Sequence, residues 1–125
     1  MMALASKADL ACGLYDAYKK QDRARAELLL ADDFTFTSPY DDAIDRAAYF
    51  KRCWPTSEHI SGMEIEKIAE SGNDVFVQYK VFAKTSKQFR NVETLTFDGQ
   101  RIRAVNVYFG ATYKDGKFVK QPESA

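Results

Sequence analysis

A glutamate stands where strand alternation predicts an apolar face. The run Phe89-Arg90-Asn91-Val92-Glu93-Thr94-Leu95-Thr96-Phe97 alternates like a β-strand. Side chains two apart share a face, so Phe89, Asn91, Glu93, Leu95 and Phe97 point one way, and Arg90, Val92, Thr94 and Thr96 the other. A carboxyl group buried on the more apolar face is costly unless it is paired, hydrogen-bonded or protonated. Desolvation raises its pKa, and a carboxyl that titrates near neutrality can donate a hydrogen bond or move a proton. The chemically silent alternative is a solvated glutamate at the open end of a sheet.

Other side chains could join it. His59, the only histidine, follows Pro55-Thr56-Ser57-Glu58 near a rim, where an imidazole could act as general base or lie idle in solvent. Asp41 and Asp42 reach a site only if their loop folds inward; otherwise they are solvated acids. Phe50, Trp54, Tyr79, Phe82 and Tyr108 are candidates for a pocket wall, although most aromatics in a small domain are core. A mainly apolar pocket with a few polar groups suits a small hydrophobic or aromatic ligand.

These residues need elements to position them. Ser6, with Asp9 three residues on, predicts a helix start, and Leu10, Ala11, Leu14, Tyr15, Ala17 and Tyr18 form its apolar face. A second helix is expected over about 23–31, with Ala24, Leu28 and Leu29 inward. Phe34–Thr37 alternates as a strand, and Ser38-Pro39-Tyr40-Asp41-Asp42 reads as a loop. Asp45 predicts the cap of a third helix with Phe50, Cys53 and Trp54 on its apolar side, stopped by Pro55. Strands follow over about 60–70, 75–84, 88–97 and 101–110, and Asn-Asp and Asp-Gly in their gaps predict the tight turns of an antiparallel meander. The tail from Lys114 reads as a frayed end or a closing strand. The expected architecture is α+β: three N-terminal helices packed on a curved antiparallel sheet, a cone-shaped fold enclosing a cavity.

The last strand leaves two registers open. A two-residue turn before it places Ala104, Asn106 and Tyr108 beside Glu93; a three-residue turn places Val105, Val107 and Phe109 there.

Composition bounds the rest. The 125 residues suit one domain spanning 1–125, and 46% hydrophobic content supports a core. Eighteen basic and 18 acidic side chains cancel without a basic cluster, so no nucleic-acid partner is expected. Met1–Lys7 lacks the apolar run of a signal peptide, and no stretch approaches the roughly 20 apolar residues needed to span a bilayer. Cys12 and Cys53 form no metal-ligand pattern, so no metal or cofactor is expected, and the expected setting is the cytoplasm with reduced thiols.

Two stretches carry a family resemblance. Leu14-Tyr15-Asp16-Ala17-Tyr18 with Leu30-Ala31-Asp32-Asp33-Phe34-Thr35-Phe36-Thr37-Ser38-Pro39, and then Val92–Gly99 with Ile102 and Val107-Tyr108-Phe109-Gly110, resemble SnoaL-like proteins of the nuclear transport factor 2-like superfamily. That superfamily includes the ketosteroid isomerases. The resemblance implies the cone-shaped fold and, often, a homodimer through the outer sheet face. It matches Glu93 to the isomerases' oxyanion-hole acid. Their general-base position falls on Ser38, which cannot take a proton unaided, so steroid isomerisation is not expected. Their oxyanion-hole tyrosine falls on Leu14, with Tyr15 beside it as substitute. The ungapped match favours Phe109 inside. The expected function is small-molecule binding, with cofactor-free isomerase, cyclase or dehydratase chemistry at Glu93, His59 and Tyr15 and a polyketide-like ligand held by Ser38, Phe50, Trp54, Tyr79, Asn106, Tyr108 and Phe109. The alternative is a non-catalytic ligand-binding or association domain with a vestigial cavity.

Overall fold

The computed structural model describes residues 5–120. Most of the Met1–Lys7 segment read for a signal peptide therefore lies outside the described residues.

Helix α1, Lys7–Lys20, begins at a complete capping box: the Ser6 side chain accepts from the Asp9 amide, and Asp9 reaches back to the Ser6 amide. Its first turn is also tied to the sheet, because the Ala8 amide donates to Glu70 Oε1 at 2.7 Å. An acid at that end complements the helix dipole. Ala11, Leu14, Tyr15 and Ala17 are buried as the spacing predicts. Helix α2, Arg23–Leu29, is shorter than expected and presents a different face. Ala26 is buried, while Ala24 is exposed and Leu28 is 72% exposed. Against α1, Arg25 pairs with Asp16 and Leu29 packs beside Gly13, and the chain turns inward at Leu30 to enter the sheet. Helix α3, Arg46–Arg52, is capped by Asp45, whose side chain accepts from the Ala48 amide at 2.8 Å. Pro55 does not end the helical run outright. It opens a 3₁₀ turn over Trp54–His59, a fold that tolerates proline in its first positions.

The strands are β1 (Leu30–Ser38), β2 (Asp41–Asp45), β3 (Ile60–Ser71), β4 (Asp74–Ala83), β5 (Lys87–Asp98), β6 (Arg101–Lys114) and β7 (Lys117–Val119). They form one curved sheet in the order β2-β1-β6-β5-β4-β3, with β7 paired to β6. The expected meander is β3–β6. Two features depart from expectation. The Ser38–Asp42 loop is a turn at Pro39-Tyr40 leading into β2, and β1 lies parallel to β6, matching Phe36 to Val105. The sheet is therefore antiparallel-rich rather than wholly antiparallel. The tail closes as β7.

The helices cover the concave face. Val75, Val77, Leu95, Ile102, Leu30 and Phe34 are fully buried there, each worth about 1.5–3 kcal/mol in transfer from water. On β5 the predicted alternation holds: Asn91, Glu93, Leu95 and Phe97 are buried, and Val92 is exposed.

The register of β6 resolves by neither simple turn reading alone. Asp98 pairs with Arg101 and Phe97 with Ile102, as a two-residue turn requires. Thr96 then pairs with Ala104, so Arg103 is an extra residue, a bulge. Beyond it Glu93 faces Val107 and Asn91 faces Phe109. One inserted residue moves Asn106 and Tyr108 to the outer face, where Tyr108 is 63% exposed.

Among the described residues no helix is long and apolar enough to cross a membrane.

Candidate functional site

Between the helices and the concave sheet lies a recess of about 460 Å³. Strands β4 and β5 supply Tyr79, Asn91 and Glu93. Helix α1 supplies Leu14, Tyr15 and Tyr18. Val105, Val107 and Phe109 of β6 and Tyr49 of α3 complete most of the apolar wall.

Glu93 is 8% exposed. The Tyr15 hydroxyl donates to Glu93 Oε2. Tyr79 accepts from Asn91 Nδ2 at 3.0 Å. The Tyr15 and Tyr79 rings contact each other with centroids 5.3 Å apart. Burial pushes the Glu93 pKa up to about 7, against the lowering pull of the neighbouring Tyr15 and Tyr79 hydroxyls. Burial, reinforced by the neighbouring Glu93 charge, raises the Tyr15 and Tyr79 pKa values. Both phenols thus remain neutral donors near neutral pH. The carboxyl can be either ionised and hydrogen-bonded by Tyr15 or protonated and able to donate.

A second carboxyl group lies at the mouth. Asp41 opens β2, its side chain is only 8% exposed, and Oδ1 lies 2.7 Å from Arg52 Nη2. Cys53 Sγ is 3.7 Å from Asp41 Oδ2. Burial first, then Asp41, pushes the Cys53 thiol up to about 11, so it is no thiolate nucleophile at neutral pH. Nearby, Thr56 donates to the Cys53 carbonyl, which leaves its oxygen to accept from the Tyr18 hydroxyl. Among the described residues no group of three or more His, Cys, Asp or Glu side chains is placed to hold a metal ion.

A family model described as the SnoaL-like domain matches residues 13–120. The chain belongs to the SnoaL-like family. No curated relative matches the sequence. Solved structures share the fold. A Kribbella flavida protein aligns with a TM-score of 0.77 at 19% identity, covering 84% of this chain and 88% of its own. IdmH of Streptomyces antibioticus, a candidate polyketide cyclase, aligns at 0.74 and 18% identity, covering 84% of this chain and 92% of IdmH. A candidate ketosteroid isomerase of Kribbella flavida aligns at 0.70 and 16% identity, covering 94% of this chain and 90% of its own.

Within this SnoaL-like chain the sequence-derived residues separate. Glu93, Tyr15, Tyr79, Ser38 and Phe109 all line the recess. Ser38 accepts a hydrogen bond from the Tyr40 amide at 3.1 Å, which leaves its hydroxyl proton available. His59 does not line it. It ends the 3₁₀ turn in solvent. Phe50 and Trp54 are buried behind the wall, contacting Tyr49 and Tyr18 respectively. Asn106 and Tyr108 are turned away by the bulge. Asp42 is exposed, whereas Asp41 reaches in. Asn91 was placed on the Glu93 face by alternation, but sequence reasoning gave it no role. Its hydrogen bond to Tyr79 needs two strands in register.

Proposed function

We propose that this SnoaL-like protein binds a small hydrophobic or aromatic, polyketide-like ligand and acts on it without a cofactor, as an isomerase, cyclase or dehydratase. The observation that carries the reading is the Glu93 carboxyl, buried in an apolar recess, hydrogen-bonded by Tyr15 and titrating near neutrality. A protonated Glu93 donates to a ligand carbonyl and stabilises the charge that builds there when a neighbouring C–H bond is broken. An ionised Glu93 accepts a proton from a ligand hydroxyl. Tyr15 holds the carboxyl in one geometry and shares its charge. Asp41, rather than His59, is the second group placed to exchange a proton, since it lies in the wall and His59 does not. Ser38 offers a neutral hydrogen bond. Its presence at the isomerases' base position favours the second reading, a non-catalytic binding or association domain. A cytoplasmic setting with both cysteines reduced is proposed with either reading, on the absence of a metal-ligand or disulfide spacing between Cys12 and Cys53.

A thermal-shift screen of small aromatic ketones and polyketide-like phenols tests the recess as a ligand site. A ligand at about ten times its Kd adds roughly 1.4 kcal/mol, which raises Tm by several degrees in a domain of this size. A screen without any shift would favour association alone.

The outer sheet face is the proposed homodimer contact. Phe76, Val92 and Tyr108 are exposed on three neighbouring strands, with Thr94 and Asn106 among them. The helices cover only the opposite face. Sedimentation at micromolar concentration is expected to give a dimer burying on the order of 1,200–2,000 Å², and Tyr108→Glu is expected to give monomers. A wild-type monomer would leave this face merely solvated.

A further inference from the structure

Two carboxyl groups belong to the wall of the recess, and only one of them has a counter-charge. Asp41 Oδ1 lies 2.7 Å from Arg52 Nη2. Among the described residues Arg52 is the one basic side chain in that wall, and Asp41 already engages it. Glu93 forms no ion pair among the described residues. Its bond from the Tyr15 hydroxyl is a neutral one and fills one of the roughly four acceptor sites of an ionised carboxylate. A buried charge without a partner is costly, and an entering ion of opposite sign offsets that cost.

The surroundings of Glu93 are aromatic. Tyr15 and Tyr18 reach the recess from α1, Tyr49 from α3 and Tyr79 from β4. Burial first, and the Glu93 charge after it, raise the pKa values of all four, so the phenols stay neutral within the field of that charge. Aromatic rings attract an ammonium group through their quadrupoles, more strongly where water is excluded. We infer that the recess is a site for hydrophobic arylalkylammonium ions: the Glu93 carboxylate supplies the counter-charge, the four tyrosines supply the aromatic wall around the cation, and the remaining apolar wall receives the ligand's own ring. A recess of about 460 Å³ is of a size for one such amine. This inference rests on the ligand-binding reading of the recess and adds a second ligand class to it. Neutral carbonyl compounds suit the protonated carboxyl, and ammonium ions suit the ionised one. Of the titratable groups packed around Glu93, the phenols and the Cys53 thiol stay neutral and Asp41 is paired with Arg52, so Glu93 is the group whose charge changes near neutrality.

Phenethylamine and phenethyl alcohol share one shape and differ in charge, and NMR titration of the full chain with each tests the inference. At about pH 8, with Glu93 ionised, the ammonium compound is expected to bind wild type roughly tenfold more tightly than the alcohol. At about pH 5.5, with Glu93 protonated, that preference should vanish. Glu93→Gln should erase it at both pH values while keeping the alcohol bound. Wild type carries a second readout that stands even if the variant misfolds. A ligand that prefers the ionised form tenfold lowers the pKa of the group, so saturating phenethylamine should move the Glu93 side-chain carboxyl titration down by about one pH unit. Phenethyl alcohol should leave it in place. Equal binding of the two compounds at the higher pH, a preference that survives in Glu93→Gln, or an unmoved carboxyl titration overturns the ammonium site and leaves the recess as a ligand site. If neither compound shifts a recess resonance at either pH, the ligand reading falls and the inference falls with it.

Discussion

Glu93→Gln is expected to lower turnover roughly 10²–10⁴-fold while changing ligand affinity only a few-fold. Glutamine is nearly isosteric, and its amide still offers an acceptor to one tyrosine and a donor to the ligand. It cannot exchange a proton. An acid–base role therefore appears as a loss in kcat with Kd nearly kept. Steady-state kinetics and a binding titration on a compound found in the thermal-shift screen separate the two constants. If kcat is unchanged, Glu93 serves binding alone and the non-catalytic reading stands. Tyr15→Phe is the companion variant. It removes the Tyr15 donor to the carboxyl, so the pH profile of kcat should shift toward higher pH as the ionised form loses support.

The second large effect is on stability. Glu93 has a folded pKa of about 7, raised by burial from an ordinary 4.5. Between these values the folded protein keeps a proton that the unfolded chain has released. The stabilising contribution of the neutral form is thus complete below the unfolded pKa and lost as pH rises through about 7. The gap corresponds to about 3 kcal/mol. Urea unfolding between about pH 5 and pH 8 should show wild type weakening by that order relative to Glu93→Gln, whose profile lacks the contribution. Taking the difference between the two proteins cancels every other titrating group. Asp16 and Glu66, whose pKa values are lowered by hydrogen bonds to Lys20 and Arg25 and to Arg90 and Gln78, lose stability only at lower pH. Parallel profiles for the two proteins would mean that Glu93 is well solvated in the folded state, and proton donation near neutrality would lose its basis.

What the sequence made legible was local. The Ser6–Asp9 capping box, the Asp45 cap and the Asp-Gly and Asn-Asp turns specify their geometry within a few residues, and those elements appear where expected. The inward face of β5 follows from period-two alternation, which is why Glu93 could be singled out. What stayed hidden depends on distant pairings. β2 has only five residues, Asp41–Asp45, mostly polar, and acquires its strand form by pairing with β1. The parallel match of β1 to β6 joins segments some 70 residues apart in sequence, with no local mark on either. Asp41 reaches the recess because that pairing and Arg52 hold it there. The face of α2 was read in part: Leu29 packs inward, but Ala24 and Leu28 are exposed and Ala26 is the buried residue, because its apolar residues are too few to define a stripe. His59 looked chemically promising by type, yet the 3₁₀ turn after Trp54 carries it into solvent.

Arg103 has a consequence for how relatives of this chain should be compared. A period-two element has parity, and one supernumerary residue inverts it for everything downstream until a second irregularity restores it. From Ala104 toward Phe109, odd positions here write the interior and even positions the exterior. A relative without the insertion must write the same interior in the opposite parity. Column-by-column alignment of the two would then set a wall residue of one against a surface residue of the other, and apolar identity would look like divergence. Pairing β6 against β5 before matching residues removes the artefact, and it makes the presence or absence of this one residue a heritable character by which members of the family can be sorted.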